Sequence, residues 1–185
     1  LEHELLIEMQ LSKIIILISF FFVCCDDSNE FDVIIIGGGA GGTSAAIESA
    51  RNGAKTLLIE ETDWLGGMLT SAGVSAIDGN YKLPSGFWGE FKDSLVSHYG
   101  SLESLKTGWV SNVLFEPKVG NEILKSIAEK EENLEILFSS SVNSVLQPKN
   151  DNYNFIVSST NGRFGSKILI DATELGDILP MLNED

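Results

Sequence analysis

Residues 31–36 read FDVIII, a short β-branched run with no polar alternation. Such a run fits a strand buried on both faces of a parallel sheet. The pattern then changes period. From 41 to 52, Ala45, Ala46, Ile47 and Ala50 mark a small apolar face at helical spacing, and Gly53 follows as a helix terminator. Residues 55–60, KTLLIE, predict a second buried strand. Further on, Phe87, Phe91, Leu95 and Val96 space a helix over 87–99. Val119, Ile123, Leu124 and Ile127 space another over 117–130, with Pro117 suited to its first turn. LEILF at 134–138 predicts another buried strand. Three β runs follow at 141–147, 153–160 and 163–170, with Asn161-Gly162 as a hairpin signal between the last two. They predict an antiparallel meander, leading into a strand at ILIDAT.

Strand, glycine turn, helix and strand at 31–60 form one βαβ unit. Within it, Gly37, Gly39 and Gly42 satisfy the G-x-G-x-x-G spacing. Each glycine has its own physical task. Gly37 permits the tight turn out of the strand. Gly39 lets backbone approach a pyrophosphate, and Gly42 lets the helix pack closely on the strand. Ala40 and Gly41 complete the loop into the helix, whose free N–H groups and positive dipole end favour a phosphate. Glu60 ends the second strand about 20 residues beyond the glycines, where an acid can accept hydrogen bonds from ribose hydroxyls. Glu61 is a competing acid, which strand alternation would turn the other way. An acid at this place disfavours a 2′-phosphate, so NADP is the least favoured of the adenine dinucleotides. After the second strand comes ETDWLGGMLTSAG, whose Gly66-Gly67 pair permits a second close approach of backbone to a cofactor.

Acidic residues outnumber basic ones 27 to 12, a formal charge of −15 with no basic cluster, which speaks against nucleic-acid binding. The apolar and charged fractions, 43% and 21%, are those of a globular chain. Cys24 and Cys25 are adjacent and the sequence has no CxxC, HExxH or spaced His/Cys cluster, so neither a disulfide framework nor a metal site is expected. Trp88 is expected to pack and His98 to sit at the surface. Residues 1–30 read as a leader. Met9 makes a natural start, Lys13 supplies a positive charge and Ile14 to Val23 an apolar run of ten. That run is short of the roughly 20 residues a membrane-spanning helix needs. An exported location is expected, in the periplasm, outside the cell or at a membrane surface. Plain secretion and lipid attachment through Cys24 are both open, the latter by similarity to bacterial lipoprotein signals.

DVIIIGGGAGGTSAA, the strand ending in Glu60, WLGGMLT and ILIDATELGD together resemble the FAD-dependent oxidoreductase family with the glutathione-reductase type of FAD/NAD(P)-binding domain. The likeness runs from 31 to about 180 and rests on its two end motifs. It implies a Rossmann-like, doubly wound parallel α/β sheet with an inserted antiparallel meander, and FAD as cofactor. By resemblance, Gly37, Gly39 and Gly42 would line the pyrophosphate and Glu60 would hold the adenosine ribose. Gly66, Gly67 and Met68 would pass near the ribityl chain or flavin, and Val142 would offer backbone to adenine. Ala172 and Thr173 match the strand-end motif beside the cofactor, and Asp177 would reach toward the ribityl-pyrophosphate part. Where many relatives have Gly after Ala-Thr, this chain carries Glu174.

The activity implied is flavin-mediated oxidation or reduction of a small organic substrate. Hydride would pass between substrate and the flavin N5. No residue here is a candidate catalytic acid or base. The chain is expected to be the FAD-binding part, 31–185, of a longer protein with a separate substrate domain. The competing readings are an NAD-binding domain and a non-catalytic Rossmann fragment of a surface lipoprotein.

Overall fold

The computed structural model describes residues 29–79, 81–149 and 152–182. The expected leader up to Ser28, with Cys24, lies outside the described residues. The first strand, β1 (Glu30–Ile36), begins at the last residue of that expected segment. Next in order are helix α1 (Ala40–Arg51), strand β2 (Thr56–Ile59), helix α2 (Gly86–Tyr99), helix α3 (Pro117–Ala128) and strand β3 (Leu134–Leu137). Strands β4 (Val142–Leu146), β5 (Phe155–Ser159) and β6 (Gly162–Asp171) complete the described sheet.

All six strands form one sheet in the order β3-β2-β1-β6-β5-β4. β1 pairs in parallel with β2 and β6, and β2 in parallel with β3. β5 pairs antiparallel with both β4 and β6. The fold is the Rossmann-like mixed α/β arrangement that the sequence pattern predicts. The meander is joined more tightly than expected. Its third run and the ILIDAT strand are a single ten-residue strand, β6, which pairs with β5 through Gly162–Ser166 and with β1 from Gly165 onward. The hairpin signal is displaced by one residue. Ser159 faces Gly162, so the two loop residues are Thr160 and Asn161.

The pleat of β1 divides the core in two. Val33 and Ile35 face one side with Leu58, where they pack against Ala46 and Ile47 of α1, Phe91 and Leu95 of α2, and Leu124 and Ile127 of α3. Phe31, Ile34 and Ile36 face the other side with Leu57 and Ile59. That side is covered by Val145, Val157 and Phe164 of the meander and by Ile178. The doubly buried run in β1 is explained by this sandwiching: Ile34 and Ile35 point to opposite faces and neither is exposed. Among the described residues, no helix is long and apolar enough to cross a membrane.

Two polar clusters fasten the edges. Arg51, at the end of α1, donates to Glu90 of α2 and to Glu131 beyond α3. Asp32 of β1 accepts from the Lys55 backbone N–H at 3.0 Å and from Lys167 Nζ of β6 at 2.7 Å. The Lys167 hydrogen bond first, and the Lys55 N–H second, hold the Asp32 carboxyl below the usual carboxylate range. A value depressed by folding contributes stability wherever the unfolded residue is ionised, above about pH 4, and that contribution disappears as pH falls through the lower folded value. Asp32→Asn should therefore lower the urea midpoint slightly at neutral pH. The two proteins should converge in acid, which a pH series of unfolding curves will show.

Candidate functional site

The sheet order places a switch point at β1. The chain leaves β1 toward β2 and β3 on one side and returns to its other side as β6. Ligands in open α/β sheets bind in the crevice at the carboxyl ends of the strands at such a point. A cleft of about 340 Å³ opens there. Its walls come from the glycine turn (Gly37, Gly39), the residues just past β2 (Glu60, Glu61), the segment after them (Gly67), the start of β4 (Val142) and the segment after β6 (Ala172, Thr173, Glu174, Asp177).

The turn is built by contact. Gly37 has φ +98°, and a Cβ there would stand 2.6 Å from the carbonyl oxygen of Ala172. Its N–H donates to Ile59 O at 2.9 Å, so the turn is wedged between the ends of β2 and β6. A Cβ on Gly42 would overlap the carbonyl oxygen of Gly37 outright, which is why α1 can sit so close to β1. Thr43, fully buried, donates its hydroxyl to Gly38 O at 2.8 Å. By contrast, a Cβ on Gly39 would meet nothing within 4 Å, and the residue has an ordinary φ of −60°. Gly39 caps α1 with no side chain, and the first helical hydrogen bond is Thr43 N–H to Gly39 O. The N–H groups of Ala40, Gly41 and Gly42 precede that bond and have no intrahelical acceptor.

Glu60 is already oriented. Its Oε2 accepts the Gly38 N–H at 2.5 Å, and its Oε1 accepts the N–H and hydroxyl of Thr62 at 2.8 and 2.6 Å. Charge-assisted bonds of this kind are the strong ones. A carboxylate has about four acceptor positions, so one remains, on Oε2. Gly38 has no room for a side chain, because a Cβ would lie 2.7 Å from Glu60 Oε2. The expectation for Glu61 needs correcting: it lines the cleft beside Glu60, since β2 ends at Ile59 and strand alternation no longer governs either acid.

The second glycine pair lies against the first. Gly66 N–H donates to Gly38 O at 2.8 Å, and a Cβ on Gly67 would come 2.9 Å from Gly39 Cα. Gly66 and Gly67 have φ of +102° and +50°, conformations open to glycine. The buried Asn121 of α3 secures this segment by accepting the Leu65 N–H at 2.9 Å, and Thr70 donates its hydroxyl to Leu65 O. Met68 stands apart: it is 55% exposed and is not in the cleft wall. Ala40, Gly41, Gly42 and Gly66 form the frame behind the wall and do not line it.

On the β6 side the organiser is Asp171, which the motif reading passed over. Its Oδ1 accepts the N–H and hydroxyl of Thr173 at 3.0 and 2.7 Å, and its Oδ2 accepts the Ile178 N–H at 3.1 Å. Thr173 in turn accepts the Asp177 N–H at 2.8 Å. The signal was present in the sequence, since an Asp two residues before a Thr at a strand end is a local capping pattern. Ser140, buried in the cleft wall, donates its N–H to Glu60 O at 2.9 Å and was also missed. Trp88 and Phe87 line a separate apolar cavity with Phe91 and Leu124, while His98 is exposed.

Comparison with known proteins agrees with this geometry. Residues 32–183 match the model of a family described as FAD dependent oxidoreductase. No curated protein matches the chain significantly. Among solved structures, the fold resembles L-proline dehydrogenase from P. horikoshii at 16% identity and a TM-score of 0.54, covering 84% of this chain and 56% of that one. It resembles glycine oxidase from Geobacillus kaustophilus at 12% identity and a TM-score of 0.53, covering 84% and 59%. A closed cyclohexanone monooxygenase matches at 18% identity and a TM-score of 0.52, covering 78% and 26%. The chain thus spans little more than half the length of the first two. At these identities the likeness is one of fold.

The crowding at the glycines yields a sharp stability test. Gly42→Ala, although alanine is the better helix former, should destabilise the protein by about 1–3 kcal/mol, the typical cost of overpacking, as read from the urea midpoint.

Proposed function

The chain belongs to the FAD dependent oxidoreductase family, which makes FAD its cofactor, and from that premise we propose that residues 30–182 form the part that holds the ADP half of FAD in an enzyme acting on a small organic substrate. The observation that carries this reading is the pairing of Gly39 with Glu60. The first is a bare, unstrained helix cap with open space where its side chain would be. The second is a carboxylate fixed by three donors with one acceptor position left over.

The residues fit the group. The diphosphate would lie over Gly37 and Gly39, near the first N–H groups of α1, which have no intrahelical acceptor. Glu60 Oε2 would accept a hydroxyl of the adenosine ribose, and Val142 with Ser140 would bound the adenine. Gly67, Ala172, Thr173 and Asp177 would flank the cofactor on its way toward the flavin. Gly66 serves this path as frame, through its bond to Gly38 O, and Met68 takes no part in our assignment. Bound FAD supplies the electron chemistry. The residues described here bind and orient it, and the acid and base that serve the substrate belong to other parts of the enzyme. An exported location, with or without a lipid on Cys24, completes the proposal and rests on the apolar run at 14–23 and the lysine before it.

Gly39→Ala tests the reading cleanly, because the fold gives it no penalty. The variant should keep its stability to within about 0.5 kcal/mol yet lose dinucleotide affinity by about tenfold or more, as the new methyl obstructs the backbone's approach to the diphosphate. Titration with FAD, followed by flavin fluorescence, measures the second effect. Unchanged affinity in the variant would remove the glycine turn from the binding site.

A further inference from the structure

Glu174 is held over the meeting point of the two glycine segments. The turn that carries it is fixed from both ends by Asp171, through Thr173 before it and Ile178 after it. Its Oε1 would lie 3.8 Å from a Cβ placed on Gly67, and that same Cβ position is 2.9 Å from Gly39 Cα. The carboxylate therefore stands beside the barest stretch of backbone in the cleft, next to the start of α1.

Its electrostatic situation is the opposite of that of Glu60. Glu60 is covered by three hydrogen-bond donors. Glu174 accepts no hydrogen bond and joins no ion pair among the described residues, and no Lys, Arg or His lines the cleft wall. The start of α1 offers only the partial positive charge of its free N–H groups, about half an elementary charge. Glu174 is exposed, so water screens its charge in part, but with no described side-chain cation against it the carboxylate still opposes a second anion brought to the same place.

We propose that Glu174 is an affinity-setting residue, whose carboxylate repels the diphosphate and holds the cleft's affinity for adenine dinucleotides below what the glycine turn alone would give. The inference rests on the dinucleotide reading of the cleft. It does not depend on which substrate the enzyme uses. The residue acts on cofactor binding and is not a catalytic residue. Its effect is on retention and release of the anionic cofactor, and it is specific to the phosphate part of the ligand.

Binding of ADP and of adenosine to the full-length, flavin-stripped protein, measured by titration calorimetry in the presence of a chelator, separates the possibilities. Glu174→Gln should bind ADP about fivefold more tightly than the parent at low salt, with the gap closing as salt approaches about 1 M and the screening length falls to about 3 Å. Adenosine affinity should not change. Glu61→Gln removes the same formal charge from the cleft at the Glu60 end and should give a smaller gain for ADP. Weaker ADP binding by Glu174→Gln would overturn the proposal, since the carboxylate would then be a hydrogen-bond acceptor for the ligand. Equal gains for ADP and adenosine, or equal gains in the two variants, would also overturn it, by reducing the effect to net charge. If the parent and both variants bind neither ligand, the dinucleotide reading falls and this inference falls with it. If the parent binds ADP and Glu174→Gln binds it no better, this inference alone fails.

Discussion

Helix α1 begins with its backbone pressed against the turn that leaves β1, and the rest of the site follows from that contact. The Gly42 Cα lies so near the Gly37 carbonyl that no side chain fits between them. On its other side Gly37 is closed in by the carbonyl of Ala172, and its N–H is taken by Ile59. Three strand ends and a helix start thus converge on one glycine. Because the helix cannot move away, its start is fixed beside the crevice, and of Gly37, Gly38 and Gly39 only Gly39 has open space where a side chain would be. Burial of Thr43, with its hydroxyl on Gly38 O, fixes the same junction from the helix side. The binding competence of such a turn comes from what is packed behind it as much as from what is absent in front of it.

The other walls are brought to the turn by polar contacts between segments far apart in sequence. Asn121 reaches from α3 to Leu65 and so sets the Gly66-Gly67 segment against Gly38 and Gly39. Ser140 links the β3–β4 connection to Glu60, and Asp171 folds the segment after β6 back over the cleft. Each contact satisfies a backbone N–H that would otherwise be left without a partner near the core, a cost of about 1–3 kcal/mol apiece. The cleft is therefore a product of backbone satisfaction. Substitution of Asn121 or Asp171, whose side chains accept two of these N–H groups, would disturb its shape while leaving the hydrophobic core intact.

This division explains what was legible in the sequence. β1, α1 and β2 announce themselves because their burial is periodic and local, and their observed ends fall within a residue of the expected ones. The place of Glu60 follows from strand length alone. Gly38, Asp171, Asn121 and Ser140 were not singled out, because the role of each is set by a partner reached through the fold. Gly38 and Glu60 are 22 positions apart, and Asn121 and Leu65 are 56 apart. No hydrophobic period carries that information. Asn121 did leave one trace, a polar residue on the apolar face of α3 between Val119 and Leu124, where a buried amide needs a partner. Alternation misplaced Glu61 for the complementary reason: a strand rule was extended past the residue where pairing stops.

A chain with 15 excess negative charges is an unpromising receptor for a diphosphate if net charge is what matters. The geometry shows why it need not be. Oriented N–H groups at a helix start act over a few ångströms, within the distance at which distant surface carboxylates are screened. What counts is the state of the carboxylates inside that radius. Glu60 brings its charge to the cleft already engaged with the N–H of Gly38 and with both donors of Thr62, so it presents an acceptor to a sugar hydroxyl more than a field to a phosphate. Glu174 brings the same functional group to the cleft wall with no donor attached among the described residues. Two residues of one chemical type can thus serve opposite ends in one cleft, and the number of hydrogen bonds each accepts before any ligand arrives is what separates them.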